Sequence, residues 1–352
     1  MKPVRCNSGN NRRPSLPLWA LLSTIWLSPS AQAVTIIPEK AGFSGYVNLG
    51  VGGIEIESNM LARLAQGIID VGDKVIDDIN SSPDSDSAAV PMLNFELSYT
   101  FAETRTQLYI GNLLEDFLTF DLSALAGIRQ DAGTAGIFGF ALIGTSLSAD
   151  VWEDPYQADV KRRDTERTGE GYRFSWERIF DSGFALQYSS KSIDIDNERS
   201  GQGLGLSTAE RNLLNRNGDL NRLELGYEFN LSGRRHIVTP ALVFRDADID
   251  GDAMAHDGYG ASLNYVFSQS QQWRWVFNVA YRKFDYDKGN PVYGQRDDAA
   301  NFGASATVFV SQPFGWKSWA LNATAGYFEE DHDIDFYDTS MAALTHGLFR
   351  RF

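Results

Sequence analysis

The chain has 352 residues, of which 46 are Asp or Glu and 31 are Lys or Arg, giving a formal net charge of −15. This acidic balance argues against nucleic acid or a bare anionic surface as a partner. The length could hold two soluble domains, but no Pro- or Gly-rich linker and no shift in composition divides the chain.

Residues 1–33 predict a secretory signal peptide. An apolar run, 16–27, follows a basic region and precedes an Ala-x-Ala site that ends at Ala33, after which we expect cleavage. A membrane anchor is the alternative, but a spanning helix needs about 20 apolar residues. The basic residues are Lys2, Arg5, Arg12 and Arg13. The single cysteine, Cys6, leaves with this segment, so the mature chain has no thiol for a disulfide, a nucleophile or a metal ligand.

Near the start of the mature chain, 34–352, lies a stretch, 43–54, in which residues at alternate positions have a similar polarity, as in a β-strand. Residues 58–91 then carry apolar side chains at three- and four-residue steps, the spacing of an amphipathic helix. The members of this stripe are Leu61, Leu64, Ile68, Val71, Val75 and Ile79. We therefore expect one helical insertion after the first strand, either inside the pore as a plug, over the rim as a lid, or as a solvated cap.

The rest of the chain repeats the two-residue alternation in spans of about ten residues. The clearest span is 222–231, where one face is charged, polar or glycine and the other is apolar. The apolar face is Leu223, Leu225, Tyr227, Phe229 and Leu231. Other candidate strands include 93–101, 117–129, 137–151, 237–246, 259–267 and 302–310. Pro240 weakens the register of one of them, because proline cannot donate a ladder hydrogen bond.

Short and long connections alternate along these strands, and aromatic residues crowd the ends next to the short turns. The aromatic residues are Tyr99, Phe101, Phe180, Phe184, Phe229, Phe267, Trp273, Phe314, Trp316 and Trp319. An open sheet edge in hydrocarbon would leave backbone groups without partners, so only a closed ladder can cross the membrane. The pattern predicts an all-β protein: a monomeric, closed antiparallel transmembrane β-barrel of about fourteen strands, with twelve as the alternative.

The chain ends in Gly347-Leu348-Phe349-Arg350-Arg351-Phe352, and it resembles Gram-negative outer-membrane barrels, which present a terminal phenylalanine to their assembly machinery. Arg350 departs from the apolar residue expected at its position. Three short motifs are similar to an uncharacterised family of outer-membrane proteins from marine gammaproteobacteria. They are Gly42-Phe43-Ser44-Gly45-Tyr46, Asp154-Pro155-Tyr156 and Arg216-Asn217-Gly218. The resemblance implies an outer-membrane location next to lipid and lipopolysaccharide, and it brings no activity with it.

With the apolar face outward, charged side chains of both signs line the interior. These pore-lining candidates are Glu96, Arg173, Glu177, Lys191, Arg222, Glu224, Glu228, Arg274 and Arg282. Opposed acidic and basic groups suit a water-filled channel for small hydrophilic solutes. The alternative is that these charges only pair with one another across the interior.

The segment Asp246-Ala-Asp248-Ile-Asp250-Gly251-Asp252, with Asp257 at the twelfth position, matches a calcium-loop pattern except that Asp replaces the terminal Glu. Because its context is a β-hairpin, it is not an EF-hand. The hypothesis is a weak calcium site, and we expect no other cofactor. The alternative is an acidic rim that divalent ions connect to lipopolysaccharide phosphates.

The sequence gives little support to catalysis. Asp331-His332-Asp333 has a distant similarity to the acid–histidine pairs of surface proteases, but the four histidines are scattered and no serine motif accompanies them. We therefore expect no enzyme. The predicted function is a passive, porin-like channel, and the alternative is a non-conducting surface barrel whose acidic loops serve adhesion, calcium binding or envelope integrity.

Overall fold

The computed structural model describes residues 37–114 and 122–352 and shows a closed antiparallel barrel of fourteen strands. The first of these fourteen strands, 42–58, pairs with the next one in the ring, 85–101, and with the last, 339–351, which closes the ring. The predicted fold class and strand number are confirmed. The predicted signal peptide, with Cys6, lies outside the described residues, as does the beginning of the strand predicted at 117–129.

Fourteen long strands form the ring, and four short ones extend it. The ring strands are β1 Gly42–Ser58, β4 Ser85–Phe101, β5 Thr106–Leu114, β6 Leu122–Asp131, β7 Ile137–Leu147, β9 Asp164–Glu177, β10 Phe184–Ile195, β11 Gly218–Tyr227, β13 His236–Ile249, β14 His256–Ser268, β15 Trp273–Tyr286, β16 Ala299–Ser311, β17 Trp319–His332 and β18 Thr339–Arg351. The short strands are β2 Leu61–Leu64, β3 Ile69–Asp70, β8 Ala149–Trp152 and β12 Phe229–Leu231.

Helical structure is confined to short segments. One α-helix, α1 Thr208–Asn212, occurs in the described residues, and Ser207 and Glu210 close its first turn as a capping box. The 3₁₀ turns are Gly133–Ala135, Ile179–Asp181, Gln202–Leu204, Pro313–Gly315 and Asp335–Tyr337. In 37–114 and 122–352, no helix has both the length and the apolar character needed to cross a membrane.

The outward face of the ring is apolar, as the alternation predicts. On β1, Leu49 and Val51 are exposed, whereas Asn48, on the opposite face of the strand, is buried. Aromatic side chains at the short-turn end are also exposed, including Phe180 and Phe314. A closed barrel with an apolar belt and an aromatic girdle is an outer-membrane protein of the Gram-negative type.

Pro240 lies inside β13 and does not interrupt it. The neighbouring strand is interrupted at this level instead. β11 pairs with β13 as far as Gly226, opposite Ala241, and β12 resumes the pairing with β13 at Phe229, opposite Val238. The missing N–H of proline therefore coincides with a gap in the ladder. Glu228, in the gap, donates its backbone N–H to the Gly183 carbonyl at 2.9 Å.

The helical insertion predicted at 58–91 is wrong. β1 continues to Ser58, β2 and β3 form a small hairpin, and β4 begins at Ser85. The hairpin turns at Ala65, Gln66 and Gly67, whose φ angles are 53°, 57° and 77°. Such angles end any right-handed helix.

The apolar stripe in this segment is divided by tertiary packing. Leu61, Leu64 and Val71 are buried in a cluster with inward-facing side chains of the barrel wall. Ile68 and Val75 are 77% and 49% exposed, so the three- and four-residue spacing does not form one buried face. Packing in the mouth of the barrel decides the local structure, and the spacing alone misleads.

The wall of the barrel has uneven height. β1 and β4 have 17 residues each, whereas β7 has 11 and β10 has 12. Above the short side, β2 pairs with β8 and β8 pairs with β9. On the tall side, the outward residues of β1 change from Leu49 and Val51 to Glu55 and Glu57, which marks the upper edge of the apolar belt.

Candidate functional site

The interior of the barrel holds the predicted pore-lining residues. All nine lie at inward-facing positions of their strands or, for Glu228, at the β11–β12 gap. Five of them, Lys191, Glu177, Glu224, Glu228 and Arg173, are only 4% to 7% exposed. The structure thus brings these charges into a closely packed lumen, and their role in conduction stays a prediction.

Glu96 has a cationic partner that the sequence analysis missed. Both of its carboxylate oxygens accept hydrogen bonds from Arg129, each at 3.0 Å. The Arg129 guanidinium also lies over the Tyr109 ring, 3.7 Å from its centroid. Arg129 is inward-facing on β6, so the alternation along 122–131 was the signal that could have identified it.

Charged groups continue along β9, β10 and β11. The Arg222 guanidinium contacts Glu224 at 2.6 Å, and Asn230 donates to Glu228 at 2.7 Å. Lys191 donates to the Ser123 hydroxyl at 2.8 Å. We call the inward face of β4–β7 and β9–β11 the charged wall.

The facing part of the lumen, on β14–β18 and β1, has neutral polar groups instead. Asn322 donates to the Asn48 side chain at 2.8 Å, and the hydroxyls of Thr307 and Thr324 are 2.8 Å apart. Asn278 donates to the Ser305 hydroxyl at 3.1 Å. We call this surface the neutral wall. Arg274 and Arg282 are inward-facing charges on β15, within this wall.

An apolar layer crosses β13 and the neutral wall near the short-turn end. Its buried members are Ile237, Val266, Val276, Phe309, Ala320 and Phe349, with Tyr46 packed against them. The Tyr46 and Phe349 rings stack at 5.5 Å. At this level the inner face is apolar, because these side chains bury one another.

Loops at the opposite end pack into a second folded layer, which we call the cap. Its segments are 59–84, 153–163, 196–217, 250–255, 287–298 and 333–338. Phe336 is 0% exposed at the centre of the cap, and Tyr156, Ile76 and Leu214 pack in the same cluster. The Tyr337 hydroxyl bonds with the Tyr156 hydroxyl and accepts from Asn290. Burial raises the pKa of Tyr156 to about 12, so its phenol stays protonated.

Buried polar groups tie the cap segments together. Asp154 accepts backbone N–H groups of Gly201 and Gly203, each at 2.9 Å. Arg162 donates to the carbonyls of Asn59 at 3.0 Å and of Asp73. Loss of hydration lowers the pKa of Arg162 to about 10, which leaves it charged at neutral pH. These bonds make the cap a structure with its own core.

Two of the short sequence motifs contribute to this cap. Asp154 belongs to the motif Asp154-Pro155-Tyr156, and Arg216 begins the motif Arg216-Asn217-Gly218. Arg216 contacts Glu198 at 2.6 Å and donates to the Trp152 carbonyl at 2.6 Å. Both motifs therefore hold loops over the mouth of the barrel.

The five aspartates of the calcium hypothesis lie on the rim between β13 and β14. Asp246 is opposite Asp257 in the ladder, while Asp252 pairs with Lys288 and Asp250 accepts from Asn215. Asp248 lies on β13. In the described residues, no three or more His, Cys, Asp or Glu side chains are placed to hold one metal ion. Calcium binding stays a prediction.

His332 does not pair with its sequence neighbours Asp331 and Asp333. Its Nδ1 lies 3.0 Å from Asp297 and its Nε2 lies 3.2 Å from Glu330. Both ring nitrogens are therefore engaged in a buried contact between β17 and the cap segment 287–298. This arrangement fixes the ring in place and suits a structural contact.

Comparisons with known proteins agree with a barrel of unassigned role. A family model described as "Protein of unknown function (DUF2860)" matches residues 42–349. No curated protein matches the chain.

Several solved structures are similar to the chain at low identity. A Pseudomonas aeruginosa FadL homologue has 10% identity and a TM-score of 0.44, covering 88% of this chain and 90% of that one. The outer-membrane channel DcaP of Acinetobacter baumannii has 9% identity and a TM-score of 0.42, with coverages of 89% and 97%. A loop-deletion mutant of OmpT from Vibrio cholerae has 9% identity and a TM-score of 0.41, with coverages of 89% and 99%.

Proposed function

The chain belongs to the family of proteins of unknown function DUF2860, and from the geometry of its lumen we propose that it is a channel for small hydrophilic solutes whose outer mouth the cap closes. The observation that carries this proposal is the polar belt inside the barrel. Charged and amide side chains follow the interior on both walls, from Glu96 and Arg129 to Asn48 and Asn322.

A polar belt of this kind lowers the stability of the barrel unless water or a solute hydrogen-bonds to it. Burying an ion pair such as Glu96–Arg129 gains little over apolar side chains of the same volume, because both charges lose hydration. An interior that served only to fill the barrel would be more stable with apolar packing, such as the protein has in its layer around Phe309. The polar groups instead offer partners to a hydrated solute.

The cap supplies the gate in this proposal. Its core around Phe336 is assembled from several loops, and loops are the part of a fold that opens with the least free energy. The solute path would pass between the cap segments and then along the polar belt to the short-turn end.

A second candidate function is a non-conducting surface barrel. The low exposure of the inward charges favours it, since Glu177 and Lys191 are 5% and 4% exposed. In that case the charges hold the walls together, and the cap presents acidic loops to lipopolysaccharide or to another surface.

Single-channel conductance of refolded mature protein in a planar bilayer tests the proposal. The comparison is with a variant in which residues 66–82 are replaced by a short Gly-Ser linker, which removes Ile76 and Ile79 from the cap. We expect rare or small current steps from the wild type and larger, longer steps from the variant. Ile68→Ala, a change at an exposed position of the same segment, is the control and is expected to behave as wild type.

The other outcomes are equally informative. Silence in both forms, with correct folding shown by heat-modifiable migration on gels, would reject the channel and favour the filled barrel. Equal and stable steps in both forms would keep the channel and reject the cap as its gate.

A further inference from the structure

A histidine lies on the outward face of the barrel, in the middle of the apolar belt. His346 is exposed on β18, opposite Val51 on β1 and Ala323 on β17 in the ladder. Ala323 is midway between Trp319 and Tyr327, the aromatic residues near the two ends of the belt on β17. The imidazole of His346 therefore projects into hydrocarbon and not into water.

This imidazole has no polar partner among the described residues. It makes no hydrogen bond, ion pair or ring contact there, and residues with contacts of other kinds do not include it. Its neighbours on the outward face are Leu344 and Leu348 along β18 and Val51 and Ala323 across the ladder. All four are apolar. A polar group that has lost water and gained no hydrogen bond is unfavourable, so a partner for His346 has to come from outside the chain.

Another polar side chain on the lipid face shows how this need is met within one chain. Asn112 follows the exposed Leu108 and Ile110 on β5. Its side chain accepts the Phe95 backbone N–H at 2.8 Å and donates to the Leu93 carbonyl at 2.8 Å. Asn112 thus replaces ladder hydrogen bonds and needs nothing from its surroundings. His346 has no such arrangement.

The surface around His346 is unusually low. Gly53 on β1 has no side chain, and a Cβ built there would meet nothing within 4 Å. Ala323 and Ala325 follow on the outward face of β17. On β14 and β15, by contrast, larger side chains such as Leu263 and Phe277 are exposed. Two convex barrel walls approach each other most closely where side chains are short, so the wall at His346 suits contact with a second wall.

A second copy of the chain supplies the missing partner. In a pair related by a twofold axis along the membrane normal, a residue close to the axis meets the same residue of the partner at the same height. A neutral imidazole has one N–H donor and one acceptor nitrogen, so two such rings can bond to each other.

A head-to-tail ring of copies is less suitable. It would place His346 against a different part of the belt. Along the described strands, the outward side chains between the two aromatic ends include no second histidine, acid or base for it to meet. The twofold arrangement is the one in which a single outward histidine is enough.

We infer that the outward face of β17, β18 and β1 pairs two copies of the chain within the membrane, with the two His346 rings hydrogen-bonded at the twofold axis. Neither barrel has to conduct for this contact to form. The inference therefore goes beyond the proposed channel and does not depend on it.

Disulfide cross-linking of refolded mature protein in proteoliposomes tests the contact. Cys6 is the only cysteine and lies in the predicted signal peptide, so each variant of the mature chain carries a single thiol. Leu344→Cys and Ala325→Cys place the thiol beside His346, whereas Leu263→Cys places it at an exposed position of β14. After oxidation with copper phenanthroline, we expect a covalent dimer from the first two variants and monomer from the third. A head-to-tail ring would leave all three unlinked.

His346→Leu tests the hydrogen bond. It takes a polar group out of hydrocarbon, so the single barrel should unfold at the same or a higher urea concentration than wild type. The dimer should weaken instead. We expect its dissociation constant, measured by energy transfer between labelled copies in proteoliposomes, to rise about three- to tenfold, the range for one hydrogen bond between membrane segments.

Two further variants make this comparison specific. His346→Asn should keep the dimer, because an amide also has a donor and an acceptor. Leu263→Ala, at an exposed position far from the contact, should leave the dissociation constant unchanged.

The inference is overturned if Leu344→Cys and Ala325→Cys cross-link no more than Leu263→Cys, or if His346→Leu dimerises as well as wild type. Because these measurements need no ion current, a monomeric result leaves the conductance test unaffected, and a silent bilayer leaves the dimer unaffected.

Discussion

The two walls of the lumen bury polar groups by different means. The charged wall holds formal charges in pairs, such as Glu96 with Arg129, while the neutral wall holds amides and hydroxyls in pairs, such as Asn48 with Asn322. Both sets are nearly as buried as a protein core, with Arg129 at 8% and Asn322 at 4% exposed. The chain thus uses two chemistries at similar depth in one barrel.

The difference lies in what happens when one partner is lost. A buried charge without its partner loses hydration and gains nothing, whereas a buried amide or hydroxyl loses only one hydrogen bond. The charged wall is therefore expected to be the more sensitive to single substitutions.

Arg129→Met should have the largest effect. It leaves the Glu96 carboxylate without its bidentate partner and removes the stacking on Tyr109, so we expect a loss of about 3–5 kcal/mol in the free energy of unfolding. Urea unfolding of the refolded protein in detergent, followed by tryptophan fluorescence, measures it. The double variant Glu96→Gln with Arg129→Met should recover part of the loss. A cost below about 1 kcal/mol for the single change would contradict a tightly paired charged wall.

Asn322→Leu should have an intermediate effect. It removes the donor to Asn48 Oδ1 and leaves that oxygen buried, so we expect a loss of about 1–3 kcal/mol in the same unfolding measurement. The comparison with Arg129→Met uses two positions of similar burial. If the two single variants cost the same, the distinction between the walls is wrong.

The smallest effect is expected from the Thr307–Thr324 pair. Either single change to Val should cost about 1 kcal/mol, because it leaves the other hydroxyl without a partner. The double change should cost less than the sum of the singles, since no polar group is then left alone. A double-mutant cycle on unfolding midpoints gives the coupling, and strict additivity would show that the two hydroxyls do not interact.

The alternation of side chains was enough to predict the barrel. It gave the strand number, the outward apolar face and the inward position of residues such as Glu224 and Lys191, because a strand has one simple period. It could not give the partners of these residues. Glu96 and Arg129 lie on β4 and β6, with β5 between them, so their contact depends on two registers at once.

The segment after β1 shows where side-chain spacing fails to predict the local structure. Leu61, Leu64 and Val71 are spaced as on a helix, but each is buried by side chains that are distant in sequence, such as Met341. Local periodicity is reliable where the strand is the repeating unit, and it fails where loops pack on one another.

The unequal strand lengths have a consequence for what meets the cell from outside. Seventeen residues at about 3.3 Å each, tilted by about 40°, rise roughly 40 Å, whereas the apolar belt of such barrels is only about 25 Å tall. The tall side formed by β1 and β4 therefore projects beyond the lipid. Antibodies and bacteriophages approaching the cell would meet this raised, acidic edge, with Glu55 and Glu57 on its outward face.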